Sequence, residues 1–265
     1  MIRSTLPTTS AATFCVELPD PRKSDMPVPT GTGFFVSPDG WFVTAAHVVC
    51  RNGKERNDIG DGWLLKEPSL QRFPGAMCKS FSLEYINKKL DLALIKVNFE
   101  DNKSRDWLKN TDHFSYITIS SRLLDIAEQV YSFGYPLSQG EIVHNSGGVT
   151  IGPTQLCPRV TSAIISSTLE KSTMVMSSSD PEVYVLDKAL NYGNSGGPII
   201  ATETGHVHAV CTRFQPVGIP QPHLKQDDGS VPSVLVPSLY GVASSLKNDA
   251  FLKKCAEYGI PIAEG

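Results

Sequence analysis

Gly193-Asn194-Ser195-Gly196-Gly197-Pro198 sets a single serine in a backbone whose three glycines are free to take φ > 0. A serine hydroxyl is a weak nucleophile until a base removes its proton and donors stabilise the oxyanion that attack creates. A tight turn supplies part of this by aiming successive N–H groups into one concavity. By itself the string fits a flexible loop or a phosphate nest equally well. The choice depends on whether the chain also carries a histidine base and a carboxylate in suitable contexts.

The histidine is His47. Two β-rich runs, Gly33–Val36 and Trp41–Thr44, flank Ser37-Pro38-Asp39-Gly40, which has proline and glycine where a tight turn needs them. This pattern predicts a hairpin that ends on Ala45, Ala46 and His47, with small neighbours leaving the imidazole room to turn. The other five histidines (His113, His144, His206, His208 and His223) read as ordinary surface or core residues. His206 and His208 share one strand face, but no third ligand falls in register with them, so no metal site is expected.

The carboxylate is Asp91, at the head of Leu92-Ala93-Leu94-Ile95-Lys96-Val97. An acid leading an apolar, strand-length run is expected to be drawn into the interior. Burying a carboxylate without partners is costly, so strong hydrogen bonds to it are expected. An imidazole N–H is a fitting donor. A plain turn-capping aspartate is the alternative if Asp91 is considered alone.

His47, Asp91 and Ser195, taken in that order, reinforce one another. The chain resembles the chymotrypsin-fold serine peptidases, and among them the HtrA/Deg-type protease domain. The matching segments are Gly31–Val36, Thr44–Val48, Asp91–Val97, Phe133–Pro136 and Asp187–Pro198, with Tyr240–Ala243 extending the likeness. The resemblance implies an all-β fold of two antiparallel six-stranded β-barrels with a C-terminal α-helix. It implies Ser195 as nucleophile, His47 as base and Asp91 as its orienting partner. The oxyanion would lie against the turn of Gly193, Asn194 and Ser195, bonded by the N–H groups of Gly193 and Ser195. Such chemistry needs no metal or organic cofactor. The implied activity is that of a serine endopeptidase, in limited processing of an intracellular protein. A catalytically silent scaffold or regulatory binding protein is the alternative.

Two departures from secreted relatives are informative. Asn194 stands where zymogen-activated relatives carry an aspartate that pairs with a newly cut N-terminal ammonium, so no such ion pair can form. No cysteine follows His47 directly, and Asn191 stands where another is common. The specificity pocket implied by the resemblance is lined by Ala189 and Leu190 and by Cys211, Thr212 and Arg213. Ala189 replaces the acid of relatives that cut after Lys or Arg, so an apolar P1 residue is expected, or an acidic one if Arg213 turns inward.

Six scattered cysteines in 265 residues, with no CxxC pair, argue against a disulfide scaffold or a zinc site and for free thiols. The first residues lack the apolar core of a secretory signal, and no run approaches the ~20 apolar residues of a membrane span. The expected compartment is the cytoplasm. A net charge of −3 and a pI near 6.1 give no electrostatic basis for binding nucleic acid or anionic membranes. The expected partners are a protein or peptide substrate and an activating or inhibitory protein.

The chain is expected to divide into an arm (1–26), an N-terminal barrel holding His47 and Asp91 (27–118), a C-terminal barrel holding Ser195 (119–243), and a helix and tail (244–265). Ser244 and Ser245 suit the helix cap, Gly259 its stop, and the second barrel its docking face. With only a few residues after Gly259, no PDZ module is expected to follow. Segments 51–62, 166–180 and 214–232 are expected to be variable loops, the last one a fence for the cleft.

Overall fold

The hairpin ahead of His47 forms as its residues dictate. Strands β2 (Met26–Phe35) and β3 (Trp41–Thr44) pair antiparallel. Their turn is held by Ser37 Oγ, which donates to Asp39 Oδ1 at 2.6 Å and accepts from the Trp41 N–H at 3.0 Å. Gly40 takes φ 102°, a conformation that glycine adopts without strain. Phe34, Phe35 and Phe42 are fully buried, and Phe35 stacks on Phe114 with centroids 3.8 Å apart.

The computed structural model describes residues 2–20, 26–50, 58–65, 75–97, 113–136, 142–145, 148–151, 158–169, 183–190, 193–221, 229–231 and 233–264. Six strands close the first barrel: β1 (Thr13–Asp20), β2, β3, β4 (Asp58–Leu65), β5 (Gly75–Asn87) and β6 (Leu92–Val97), in the ring order β1-β2-β3-β6-β5-β4. The second is built from β8 (Gln129–Gly134), β11 (Arg159–Leu169), β12 (Val183–Leu186), β13 (Pro198–Ala201), β14 (Val207–Pro220) and β15 (Ser233–Ser245). These run β13-β8-β11-β12-β15-β14, and a β13–β14 pairing closes this ring also. Strands β7 (Ile119–Ser120) and β16 (Ile262–Ala263) add to the outside of β14 in parallel, and β9 (Ile142–Asn145) pairs with β10 (Gly148–Ile151) separately. The fold is the all-β, two-barrel chymotrypsin-like architecture with a C-terminal helix.

Four expectations give way. Residues 2–20 are no arm. They form helix α1 (Ile2–Ala12) and strand β1 of the first barrel, which therefore begins at Thr13 rather than residue 27. A Ser/Thr-rich helix containing Pro7 has poor intrinsic propensity. It is held by tertiary bonds from the hydroxyls of Thr5 and Thr9, 2.7 and 2.9 Å from Tyr131 Oη, and by a local one at its end, where Thr13 Oγ1 donates to the Thr9 carbonyl at 2.8 Å. Segment 214–220 is strand, not loop, because β14 and β15 continue as a long hairpin to the Pro220–Ser233 pair. Parts of the other two expected loops are likewise strand, in β4 and β11; the rest of both lies outside the described residues.

The C-terminal helix, α3 (Asp249–Glu257), is capped by Asn248, whose side chain accepts from the Phe251 N–H at 3.2 Å. Ser244 and Ser245 belong to β15. The helix also docks on the first barrel, not the second. Phe251 meets Tyr85, and Tyr258, just beyond the helix, stacks on Trp41 at 4.2 Å. The apolar stripe was legible, but which barrel it covers depends on where the chain returns after β15. Gly259 stops the helix at φ 68°.

Cys15, Cys211 and Cys255 are buried free thiols, and Cys50 is half-buried. Burial raises the thiol pKa values of these three buried residues, with Glu17 adding to the shift at Cys15 and Asp91 at Cys211. No described helix is long and apolar enough to cross a membrane.

His208 sits in the second barrel at 1% exposure, with Nδ1 3.0 Å from the Arg122 carbonyl. A carbonyl only accepts, so Nδ1 carries the proton, and among the described residues the buried Nε2 has no partner. Burial pushes its pKa down from 6.5 to about 4. As the pH falls, the unfolded chain takes up this proton first. The stability is therefore complete above about pH 6.5 and declines toward pH 4, by about 3 kcal/mol in all. Thermal melting between pH 7 and 4.5 should show a steeper loss of Tm for the native protein than for His208→Gln.

Candidate active site

Each chemical group is placed by a specific local device. His47 lies in α2 (Ala46–Val49), a single helical turn immediately beyond β3. Asp91 stands just before β6 with φ 57°, a left-handed conformation rare for residues other than glycine but tolerated by aspartate. That twist aims its carboxylate back at α2. Oδ2 lies 2.7 Å from His47 Nδ1, and Oδ1 accepts the His47 backbone N–H at 2.9 Å. The Asp91 carbonyl in turn accepts from the Ala46 N–H at 3.1 Å. Asp91 thus holds both the ring and the backbone of His47.

The pair is less buried than the apolar context of Asp91 suggests. The Asp91 side chain is 24% exposed and that of His47 47%. The carboxylate is satisfied by His47 itself rather than by burial in a protein interior.

Ser195 comes from the second barrel, in the turn before β13. The Gly197 N–H bonds to the Asn194 carbonyl at 2.8 Å, and Gly193 and Gly196 take φ 92° and 87°. The turn is pinned to β14 by the Gly196 N–H to the Cys211 carbonyl (2.7 Å) and the Cys211 N–H to the Gly197 carbonyl (2.8 Å). It is pinned to the first barrel by the Thr32 N–H, which donates to the Ser195 carbonyl at 2.7 Å. Among the described residues, nothing accepts from the N–H groups of Gly193 or Ser195, the two donors expected for an oxyanion.

Three glycines allow this approach. A Cβ on Gly31 would lie 2.6 Å from the Ser195 carbonyl oxygen and 2.6 Å from Val48, the neighbour of His47. A Cβ on Gly196 would lie 1.9 Å from the Thr32 carbonyl oxygen and 3.1 Å from the Ala45 nitrogen. The serine turn therefore packs directly onto the backbone that carries the histidine. Gly134 leaves space for the side chain of Asn194, whose Oδ1 would be 2.5 Å from a Cβ there. Asn194 is buried, so its amide shapes the turn from within rather than facing the cleft.

Among the described residues, Ser195 Oγ donates to the Thr212 carbonyl at 3.3 Å and makes no hydrogen bond to His47. A register shift between Cys211 and Arg213 leaves Thr212 as the extra residue of a β-bulge, which frees that carbonyl from the ladder.

The residues expected to line the specificity pocket separate into groups. Leu190 and Cys211 are 2% and 1% exposed and point into the core of the second barrel, packed with Tyr184, Ile199 and Ala243. Their side chains are core, not pocket wall: the alternation of β14 turns Cys211 inward, and Gly241 gives Leu190 room at 3.1 Å. Ala189 is half-buried, and Thr212 offers its carbonyl. Arg213 is in β14 opposite Val242; its side chain lies outside the described residues. A cleft of about 610 Å³ beside Arg122, Glu128, Glu203 and His206 shares no lining residue with this site.

Residues that sequence reasoning did not single out complete the arrangement. Thr44 Oγ1 donates to the Thr32 carbonyl at 2.7 Å, and Ser244 Oγ of the second barrel donates to the Leu90 carbonyl, next to Asp91. The signal available for Thr32 was a hydroxyl residue between two glycines in a strand.

This geometry agrees with the match found for the sequence: residues 31–210 fit the trypsin-like peptidase domain, and the chain belongs to that family. It is similar to the serine protease HTRA1A of Danio rerio, 28% identical over 199 residues, covering 74% of this chain and 33% of that protein. It is also similar to a probable periplasmic serine endoprotease DegP-like of Chlamydia pneumoniae, 29% identical over 171 residues, covering 64% of this chain and 26% of that one. Serine protease HTRA4 of Mus musculus is 28% identical over 177 residues, 66% of this chain and 28% of its own length. The matched region thus spans about a third or less of these relatives.

Gly31→Ala tests the contact between the serine turn and the histidine helix. The added methyl must push Ser195 and Val48 apart, and a misplacement of about 1 Å at a reacting centre can cost on the order of 10² in rate. Peptidase assays on the folded variant should show such a loss in kcat.

Proposed function

We propose that this chain is a serine endopeptidase acting through a covalent acyl-enzyme. The carrying observation is the two-point hold of Asp91 on His47, next to a serine whose turn presents two uncommitted N–H groups. Ser195 Oγ attacks the scissile carbonyl while His47 Nε2 takes its proton. The N–H groups of Gly193 and Ser195 receive the oxyanion. His47 then returns the proton to the leaving amine, which frees the C-terminal fragment and leaves the N-terminal one as an ester on Ser195. Water, activated by the same imidazole, hydrolyses the ester and restores Ser195. Asp91 holds the tautomer with the proton on Nδ1 and stabilises the imidazolium.

The contact of Ser195 Oγ with the Thr212 carbonyl favours a second reading, a silent scaffold with its hydroxyl turned aside. At 3.3 Å this is a weak bond, worth at most about 1 kcal/mol, and rotation about Cα–Cβ releases it. Catalytic hydrogen bonds often tighten only when substrate is bound. A fluorophosphonate probe separates the readings. Ser195 should be labelled and Ser195→Ala should not, with that variant losing roughly 10⁴–10⁶ of peptidase rate. An unlabelled native protein supports the scaffold.

Further parts of the reading concern substrate and setting. Ala189 supports a P1 preference for small or medium apolar side chains rather than Lys or Arg, with an acidic P1 if Arg213 turns into the pocket. Free thiols support the cytoplasm, where limited processing of an intracellular protein, under an activating or inhibitory partner, is the role proposed. A cleavage profile against a proteome-derived peptide library should show apolar P1 residues enriched and Lys/Arg depleted.

The neutral, buried Asn194 supports activity without a newly cut N-terminus. Acetylating or extending the N-terminus should leave kcat/KM within about twofold, since no ion pair to residue 194 is lost.

A further inference from the structure

We propose that Thr32 is the positioning residue of the oxyanion turn: a strand residue of the first barrel that holds the carbonyls of both residues whose N–H groups receive the oxyanion. This rests on the catalytic reading above and deepens it. Thr32 is fully buried, and each of its polar atoms is committed. Its N–H donates to the Ser195 carbonyl at 2.7 Å, and its Oγ1 donates to the Gly193 carbonyl at 2.6 Å. Oγ1 also accepts the Tyr135 N–H at 3.0 Å, and the Thr32 carbonyl accepts from Thr44 Oγ1 at 2.7 Å.

The direction of the key bond is forced. A hydroxyl has one proton to give. The Tyr135 N–H can only donate, so it takes a lone pair of Oγ1, and the proton of Oγ1 goes to Gly193. Tyr135 is itself anchored, with its ring buried beside Cys15 and Phe133 and its hydroxyl donating to the Thr13 carbonyl at 3.3 Å. The hold on the turn therefore reaches back to the junction of α1 and β1.

Gly193 needs such a hold. At φ 92° it occupies a region where glycine rotates with little steric resistance. A flip of the Gly193–Asn194 peptide would swing a carbonyl, another negative end, toward the place where the oxyanion forms. Pinning that carbonyl to Thr32 keeps it on the far side and keeps the donor pair aimed. Thr32 touches no substrate atom in this role. It acts through Gly193 and Ser195.

The test compares Thr32→Val, which keeps the shape and removes the hydroxyl, with Thr32→Ser, which keeps the hydroxyl. Loss of one oxyanion donor costs roughly 10²–10³ in rate, so a donor left in place but loosely aimed should cost about 10- to 100-fold in kcat. KM on the same peptide should move less than threefold, and Thr32→Ser should return kcat to within about threefold of the native value. If Thr32→Val does not fold, Thr32→Ala takes its place, with the same expected fall in kcat and the same rescue by serine. Tm is measured alongside. A variant without the hydroxyl that melts earlier but keeps native kcat, or a serine variant as slow as it, overturns the positioning role. Fluorophosphonate labelling of the native protein keeps the two claims apart. Labelling without a kcat effect at Thr32 removes this role alone, whereas no labelling of the native protein removes the catalytic reading and this role together.

Discussion

The serine turn is short, glycine-rich and set between two barrels, and its position depends on backbone hydrogen bonds that cross from one barrel to the other. The Thr32 N–H to the Ser195 carbonyl is the central one, with Thr32 Oγ1 to Gly193 beside it. Glycine loses more conformational freedom on folding than any other residue. A turn holding Gly193, Gly196 and Gly197 therefore needs external fixing to present a single geometry. The first barrel supplies that from β2 and the second from β14. Side-chain bulk is excluded from the contact: Gly31 and Gly196 face backbone atoms at distances no Cβ could share. The constraint explains why glycines stand on both sides of the join and not only around Ser195.

The same logic governs the His47–Asp91 pair. Asp91 adopts a backbone conformation that costs of order 1–3 kcal/mol for a residue with a side chain. The return is geometric, because one carboxylate meets both the ring and the main chain of His47. Ser244, from the other barrel, bonds the carbonyl of Leu90 immediately before it. Each half of the site is thus steadied by the opposite barrel: Thr32 reaches out to the serine turn, and Ser244 reaches back to the aspartate.

Much of this was legible in the residues, and the failures have physical causes. The hairpin before His47, the strand after Asp91 and the Ser195 turn are encoded locally, by turn chemistry and by β-branched and aromatic runs. The two barrels followed from them by resemblance. Helix α1 was not legible, because Pro7 and a run of hydroxyl residues argue against a helix, and the bonds that hold it come from Tyr131, more than a hundred residues away. Thr13–Leu18 does alternate as a strand should, but Pro19 and Pro21 just beyond it masked it. Segment 214–220 failed for the opposite reason, since its prolines signal a loop, whereas long pairing with β15 overrides them. The cap at Asn248 and the docking of α3 on Tyr85 and Trp41 depend on where the chain re-enters the first barrel. Leu190 and Cys211 were expected at the pocket from their places along the chain. Only the side-chain direction, set by the register of β14 and by Gly241, put them in the core.

A site divided in this way ties chemistry to the relative position of the barrels more tightly than it ties stability. Each barrel closes its own ladder of backbone bonds, while one buried cluster joins the first barrel to Tyr131, Ile200, Val207 and Val210 of the second and another lies within the second. The cleft relies on both barrels. A shift that stretches the Thr32–Ser195 bond by an ångström would cost one hydrogen bond, net about 1 kcal/mol, out of a stability many times larger. The same shift would move Ser195 relative to His47 by a distance at which, on the proposed mechanism, proton transfer and attack slow by about two orders of magnitude. Contacts bridging the barrels away from the cleft, such as Tyr135 to Thr13 and α1 to Tyr131, therefore bear on the proposed reaction through geometry although they touch none of its atoms.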